Sequence, residues 1–224
     1  MMLSPGEIIE YIKLLEFHLG EHAKYQILDP FDLNPSDIIS IQVAAKKIAN
    51  FIGLSDISFI VAIAKQRQYV GGHIDLSGDK DVFIELSEEV IEHAESVLST
   101  LSHEIVHKYL QVHNIKIYDE NKNERLTDIA AVYLGLGKLM LNGRECKKIK
   151  QENCIEEKKV TEKVITGYLD RVTLAFSYKI VCAMRNIFGC NLESGLCAES
   201  KEALLICRVN YYDYFHTCPV KVVK

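Results

Sequence analysis

The sequence predicts an α+β fold in which helices flank a short sheet. Three observations predict it. Apolar residues recur at helical spacing in two early segments, about 5–19 and 35–51. Short runs rich in Ile, Val and Phe follow at 57–65, 69–76 and 82–86. Helical spacing then returns in segments of about 87–113, 124–141 and 161–187. Strands gathered in the middle, with helices before and after, belong to α+β folds and not to alternating βαβ units.

Each element follows from local chemistry. Pro5 to Leu19 reads as an amphipathic helix with Ile8, Ile9, Ile12, Leu15 and Leu19 on its apolar side. His22 to Asn34 is a connector holding Pro30. Ser36 or Asn34 can cap a second helix, about Pro35 to Phe51, which Gly53 ends. Ile57 to Lys65 reads as a buried strand. Tyr69 to Leu76 and Val82 to Leu86 read as two more, joined by the hairpin signal Ser77-Gly78-Asp79-Lys80-Asp81. Ser87 can cap the next helix, about 87–113, with Glu88 and Glu89 where the helix dipole favours them. Ala94, Val97, Leu98, Leu101 and Ile105 form its apolar stripe. A further helix, about 124–141, ends at Asn142-Gly143. Glu145 to Lys159 reads as a charged linker and Thr161 to Ile187 as a helix. A short helix, about Ala198 to Val209, precedes an aromatic tail, Tyr211 to Phe215, read as a cap on the core or a docking surface. The expected division is a core over 1–143 and a helical, cysteine-containing extension over 144–224 packed on it.

Composition narrows the function classes. Hydrophobic residues are 48% and charged residues 25% of the 224, ordinary for a globular protein. A net charge of −5 gives no electrostatic case for nucleic acid. The longest apolar run, within Ile57 to Ala64, is too short to span a bilayer, so no membrane partner is expected. The N-terminus, Met-Met-Leu-Ser-Pro-Gly-Glu, lacks the basic-then-apolar pattern of a signal peptide, and the expected location is cytoplasmic. Seven cysteines are then reduced thiols. Cys182, Cys190, Cys197, Cys207 and Cys218 cluster late in the chain. Their spacing is wrong for a zinc knuckle, so they read as small buried residues, with a second, structural zinc as the alternative.

Residues 103–107 read His-Glu-Ile-Val-His. An α-helix turns about 100° per residue, so His103 and His107 share a face and lie roughly 6 Å apart along the axis. Two imidazoles so placed can grip one Zn²⁺, with Glu104 in reach of a water on the metal. His103 is about 160° from Leu98, and Thr100, His103, Glu104 and His107 gather away from the apolar stripe. The motif points to a zinc hydrolase, most simply a peptidase.

A third ligand is required, and two candidates compete. His113 follows His103 by ten residues, the spacing of a metzincin, but that turn needs glycine at 110 and this chain has Leu110. With the helix running on, His113 is rotated about 280° from His103. Glu124 and Asp128 lie four apart on one helical face, and Ala131 and Gly135 continue it with small residues that permit a close approach to the motif helix. A solvated acidic helix start is the alternative reading of Glu124.

Asn123-Glu124, with Asp128 four residues on, resembles the gluzincin metallopeptidases, whose thermolysin-like members follow His-Glu-x-x-His with Asn-Glu-x-x-x-Asp on a second helix. The resemblance extends from about Val82 to Gly143 and looks like bacterial metallopeptidases with a small gluzincin core. It implies a zincin-like fold of N-terminal helices, short mixed sheet, HExxH helix and Glu-bearing helix. It further implies zinc held by His103, His107 and Glu124, with Glu104 as general base and Asp128 accepting a hydrogen bond from a ligand histidine. In that family an edge strand of the sheet lies along the cleft, which here points to Val70-Gly71-Gly72-His73-Ile74-Asp75. His73 is a candidate to face the cleft. Tyr109, His113, Tyr133 and Tyr168 are candidate donors to the oxyanion, and the sequence does not choose among them. The expected partner is a peptide or protein substrate. A zinc-stabilised regulatory or interaction protein, and a zinc hydrolase of a non-peptide substrate, stand as alternatives. Oligomeric state is not legible.

Overall fold

A computed structural model describes residues 3–20, 26–66, 71–151 and 159–207. The elements are α1 (Pro5–Leu19), α2 (Ile38–Ile52), β1 (Ser58–Ala64), β2 (Gly72–Asp75), β3 (Asp81–Ser87), α3 (Ala94–Val112), α4 (Glu120–Ala131), α5 (Gly137–Gly143), β4 (Glu145–Gln151), β5 (Lys159–Ile165), α6 (Arg171–Met184), α7 (Cys190–Glu193) and α8 (Ala198–Ile206). The class is α+β. One sheet has the order β1–β3–β2, and β4 and β5 form a second. Among the described residues no helix is long and apolar enough to cross a membrane.

Helix α1 starts at a capping box. The Glu7 amide donates to Ser4 Oγ, and the Ser4 amide donates to the Glu7 carboxylate. Its buried residues are the five read from the periodicity. The cap of α2 is neither Ser36 nor Asn34 but Asp37, which accepts from the amides of Ile39 and Ser40. The Asn34 side chain is occupied one turn earlier, accepting from the Ser36 amide.

In the first sheet β3 is central, parallel to β1 and antiparallel to β2. One face, with Phe59, Val61, Ile74, Val82, Ile84 and Leu86, joins the core. The expectation of a fully buried first strand is corrected: Ile60 and Ile63 of β1 are each 41% exposed. A continuous apolar run can equally be an edge strand with one wet face. The free edge of β1 is covered by a side chain, since Gln42 of α2 donates to the Phe59 carbonyl and accepts from the Val61 amide at 3.0 Å. That side chain occupies main-chain groups that would otherwise pair with another strand. Among the described residues β2 pairs with β3 alone.

Helix α3 is the axis of the fold, packed against α2, α4, α5, β2 and β3. It begins at Ala94, with His93 at its N-cap, later than expected, because Ser87 belongs to β3 and its hydroxyl accepts from the Val90 amide of a short 3-10 turn. The motif face is also covered: Thr100, His103 and Glu104 are buried along with the apolar stripe. A helix enclosed on several sides needs no single wet face.

The second motif helix starts at Asp119, which caps α4, and breaks between α4 and α5 at Gly135, whose φ is 93°. The close approach assigned to Gly135 is corrected. A side chain there would meet the Gln26 carbonyl, and the contact with α3 is made by Gly143, where a Cβ would sit 2.4 Å from Ser99 Cβ. The charged linker over 145–159 is corrected too. Its first half is β4, in register with β5 from Glu145↔Ile165 to Gln151↔Lys159. The helix read over 161–187 begins only at Arg171, capped by Asp170. The residues before it are β5 and a turn that reaches the motif helices. Helix α6 packs against α4, α5 and α8. The aromatic tail, Val70, Cys154 and Cys218 lie outside the described residues.

Candidate metal centre

Helix α3 presents His103, Glu104 and His107, and α4 presents Glu124, Thr127 and Asp128. His103 Nε2, His107 Nε2 and Glu124 Oε2 form a triangle with edges of 3.0, 3.0 and 3.1 Å. Among the described residues this is the one group of three or more His, Cys, Asp or Glu donors close enough to share an ion.

Proton placement in this triangle decides what it can hold. Asp128 Oδ1 lies 2.8 Å from His103 Nδ1. An ionised carboxylate only accepts, so the His103 proton is on Nδ1. The Thr127 hydroxyl donates to the Asn123 carbonyl at 3.0 Å and lies 3.3 Å from His107 Nδ1. With its proton committed to Asn123, Thr127 accepts from His107 Nδ1–H. While both rings are neutral, both Nε2 atoms therefore bring lone pairs to a carboxylate oxygen. Three such atoms at these distances repel unless positive charge lies among them. A proton joins one pair at a time, whereas a divalent cation engages all three.

The donor set also fits a particular ion. Zinc bonds of 2.0–2.1 Å to nitrogen and oxygen give a tetrahedral edge of about 3.3 Å, close to the observed triangle. Two imidazoles and one carboxylate, each imidazole fixed through its second nitrogen, suit zinc better than an all-oxygen cation such as calcium.

The electrostatics follow the same arrangement. Burial opposes a charge on His103, but the Asp128 and Glu124 carboxylates outweigh it and hold its pKa well above the ordinary imidazole value. Burial also opposes the charge on Glu124, yet the hydrogen bonds with His103 and His107 prevail and bring it down to about 2. For Glu104 burial dominates and raises the pKa, against the pull of His103 and His107.

A loop from beyond the expected core completes the centre. Asp128 Oδ2 accepts from the amides of Tyr168 at 2.7 Å and Leu169 at 2.8 Å. Successive amides around one oxygen make a small anion nest, opened by Gly167 at φ 70°. The Tyr168 ring stacks on His103 with centroids 5.7 Å apart. Burial and the Glu124, Glu104 and Asp128 carboxylates push the Tyr168 pKa up to about 12.

Of the four candidate oxyanion donors, the structure places Tyr168 beside the triad. Tyr109 and His113 form a ring pair 4.3 Å apart near the end of α3, and Tyr133 packs against Arg185. His113 is the residue that ends α3, and the third corner of the triangle is Glu124. Gly71 and Gly72 meet α3 directly: a Cβ on Gly72 would lie 2.7 Å from Thr100 Cγ2 and 3.1 Å from Glu104 Oε1. The expectation that His73 faces the cleft is corrected. It alternates with Gly72 and buried Ile74 and lies exposed on the outer face, opposite Glu85. The described cysteines are free thiols and form no second donor cluster.

Sequence reasoning missed Thr127, Gly167 and Leu169. Thr127 carried a signal, lying four residues after Asn123 and next to Asp128 on the ligand helix. The loop residues carried none, because their role depends on a contact forty residues distant. No family model matches the chain, and neither a curated protein nor a solved structure matches it.

Proposed function

We propose that this chain is a zinc-dependent metallopeptidase with a zincin-like core of the compact gluzincin type. The observation that carries this reading is the convergence of two imidazole nitrogens and a carboxylate oxygen within 3.1 Å, with the buried carboxyl of Glu104 next to them. His103, His107 and Glu124 would hold the ion. When bound, Zn²⁺ supplies Lewis acidity and a water that is acidic near neutrality.

The remaining roles belong to the chain itself. Glu104, its pKa raised by burial, accepts a proton from the attacking water and returns it to the leaving amine. Asp128 and Thr127 keep the ligand nitrogens free of protons. The Tyr168 ring stacks on His103, and its hydroxyl is the candidate to donate a hydrogen bond to the developing oxyanion. The β2 edge supports a peptide substrate in extended form, because among the described residues no strand pairs with its outer side, beside Glu104. A purely structural zinc needs no base beside its ligands, which weighs against the interaction-protein reading.

The test is Glu104→Gln. It is expected to bind one zinc per chain, as wild type does, and to lose at least a hundredfold in cleavage of a peptide library followed by mass spectrometry. A wild type that binds zinc and cleaves no member of the library contradicts the peptidase reading. A wild type that binds no zinc contradicts the metal centre itself.

A further inference from the structure

Arg144 is buried, at 9% exposure, directly after α5. Its hydrogen bonds go to main-chain carbonyls: Nε donates to Leu169 and Nη1 to Thr166. A buried guanidinium is costly to desolvate, and an apolar side chain of the same length would fill the space without that cost. Both carbonyls belong to the turn whose amides hold Asp128. The turn is therefore gripped from two sides, its carbonyls by a cation and its amides by an anion. Thr166 tightens the same grip, its amide donating to the Arg144 carbonyl and its hydroxyl to that of Gly143. Beyond Asp128 the next contact is His103 Nδ1.

We propose that Arg144 is a positioning residue of the metal centre. It acts through the Thr166–Leu169 turn to fix the Asp128 carboxylate, which in turn fixes the proton on His103 Nδ1 and keeps Nε2 free for a divalent cation. This rests on the metal-centre reading above and extends the centre into the segment after residue 143. A core cut at residue 143 would lack both the grip and the nest. The donors of Arg144 lie in one rigid plane and meet both carbonyls in a fixed fork, a geometry that a flexible ammonium does not preset.

The experiment is a double-mutant cycle between Arg144→Met and Asp128→Asn in the full chain. Zn²⁺ affinity is read by competition with a chromophoric chelator, and hydrogen exchange is read at the Tyr168 and Leu169 amides. Arg144→Met is expected to weaken zinc binding ten- to a hundredfold, the usual range for residues that orient ligands. The double variant is expected to bind no more weakly than Asp128→Asn alone, because both changes break one chain of contacts. Losses that multiply, or an Arg144→Met affinity equal to wild type, overturn the proposal. Arg144→Lys, which keeps the charge, serves where the methionine variant does not fold. It is expected to accelerate exchange at residues 168 and 169 while amides in α1 stay protected. Unchanged exchange there overturns the proposal. If wild type binds no zinc, the metal reading fails by itself, and the exchange measurements still decide whether Arg144 holds the turn.

Discussion

Thr127 offers the sharpest test of the lone-pair argument, because its hydroxyl is the group that holds the tautomer of His107. Thr127→Val keeps the shape and removes the acceptor. Two consequences follow from the distances. The hydrogen bond lost is long, 3.3 Å, and its acceptor is neutral. A neutral hydrogen bond contributes about 0.5–1.5 kcal/mol, a factor of roughly two to ten in an equilibrium constant. His103 by contrast donates to a carboxylate at 2.8 Å. Hydrogen bonds to charged groups contribute about 1.5–3 kcal/mol, a factor of roughly ten to a hundred or more. The expected order of zinc affinity is therefore wild type, then Thr127→Val at up to about tenfold weaker, then Asp128→Asn at up to about a hundredfold weaker. Thr127→Ser retains the hydroxyl and should recover most of the loss. Chelator competition at constant pH and ionic strength measures all four proteins. A valine variant equal to wild type, or weaker than Asp128→Asn, would show that His107 is not oriented in this way.

Three further outcomes follow from the geometry. Gly72→Ala places a methyl 2.7 Å from Thr100 Cγ2, so β2 or Thr100 must shift. It should lower peptide cleavage strongly, since misplacement by about 1 Å costs roughly a hundredfold, while zinc content measured on the purified variant stays at wild-type level. Gln42→Ala uncovers the β1 edge and should promote self-association detectable by sedimentation; a strictly unchanged sedimentation coefficient at high concentration would refute the edge-covering role. In the metal-free protein, the hydrogen bonds with His103 and His107 outweigh burial and bring the Glu124 carboxyl down to about 2 from an ordinary 4.5. A depressed carboxyl pKa means the unfolded chain binds more protons, so this contribution is complete above pH 4.5 and is lost as pH falls toward 2. It amounts to at most about 3 kcal/mol, shared with His103. Urea titrations at pH 5 and pH 3 should show the loss, and Glu124→Gln should flatten it.

How much of this was legible in the sequence depended on how local each feature is. Helix α1 was read to the residue because its cap, its proline and its apolar stripe all lie within fifteen residues. The spacing of His103, Glu104 and His107 is likewise a property of one helix, and Glu124 and Asp128 of another. What the sequence could not carry was the pairing of distant segments. The β4–β5 hairpin is rich in lysine and glutamate and has no hydrophobic alternation to announce it, so it read as linker. Ser87 satisfied the rule for a helix cap, yet strand pairing with Ala64 claimed its backbone first. The motif face of α3 is legible as lying away from the apolar stripe, but its burial, by β2 and by the turn at 166–169, is not.

That burial is informative about the centre. Polar side chains on a buried helix face mostly find a partner, although the Thr100 hydroxyl here has none. His103 finds Asp128, His107 finds Thr127, and Asp128 finds two amides brought by a turn that Arg144 holds. The bonds of His103 and His107 place the ring proton of each neutral imidazole on Nδ1, away from the triangle, so three acceptors face one another there. A chain that needed only a stable core could place apolar residues at 103, 107 and 124 and remove the conflict. Supporting three unprotonated donors from behind, at the cost of burying a guanidinium, makes physical sense if a cation completes the set. It also means that fold and site are not separable here: the ligands come from α3 and α4, but their protonation is set by a turn after β5.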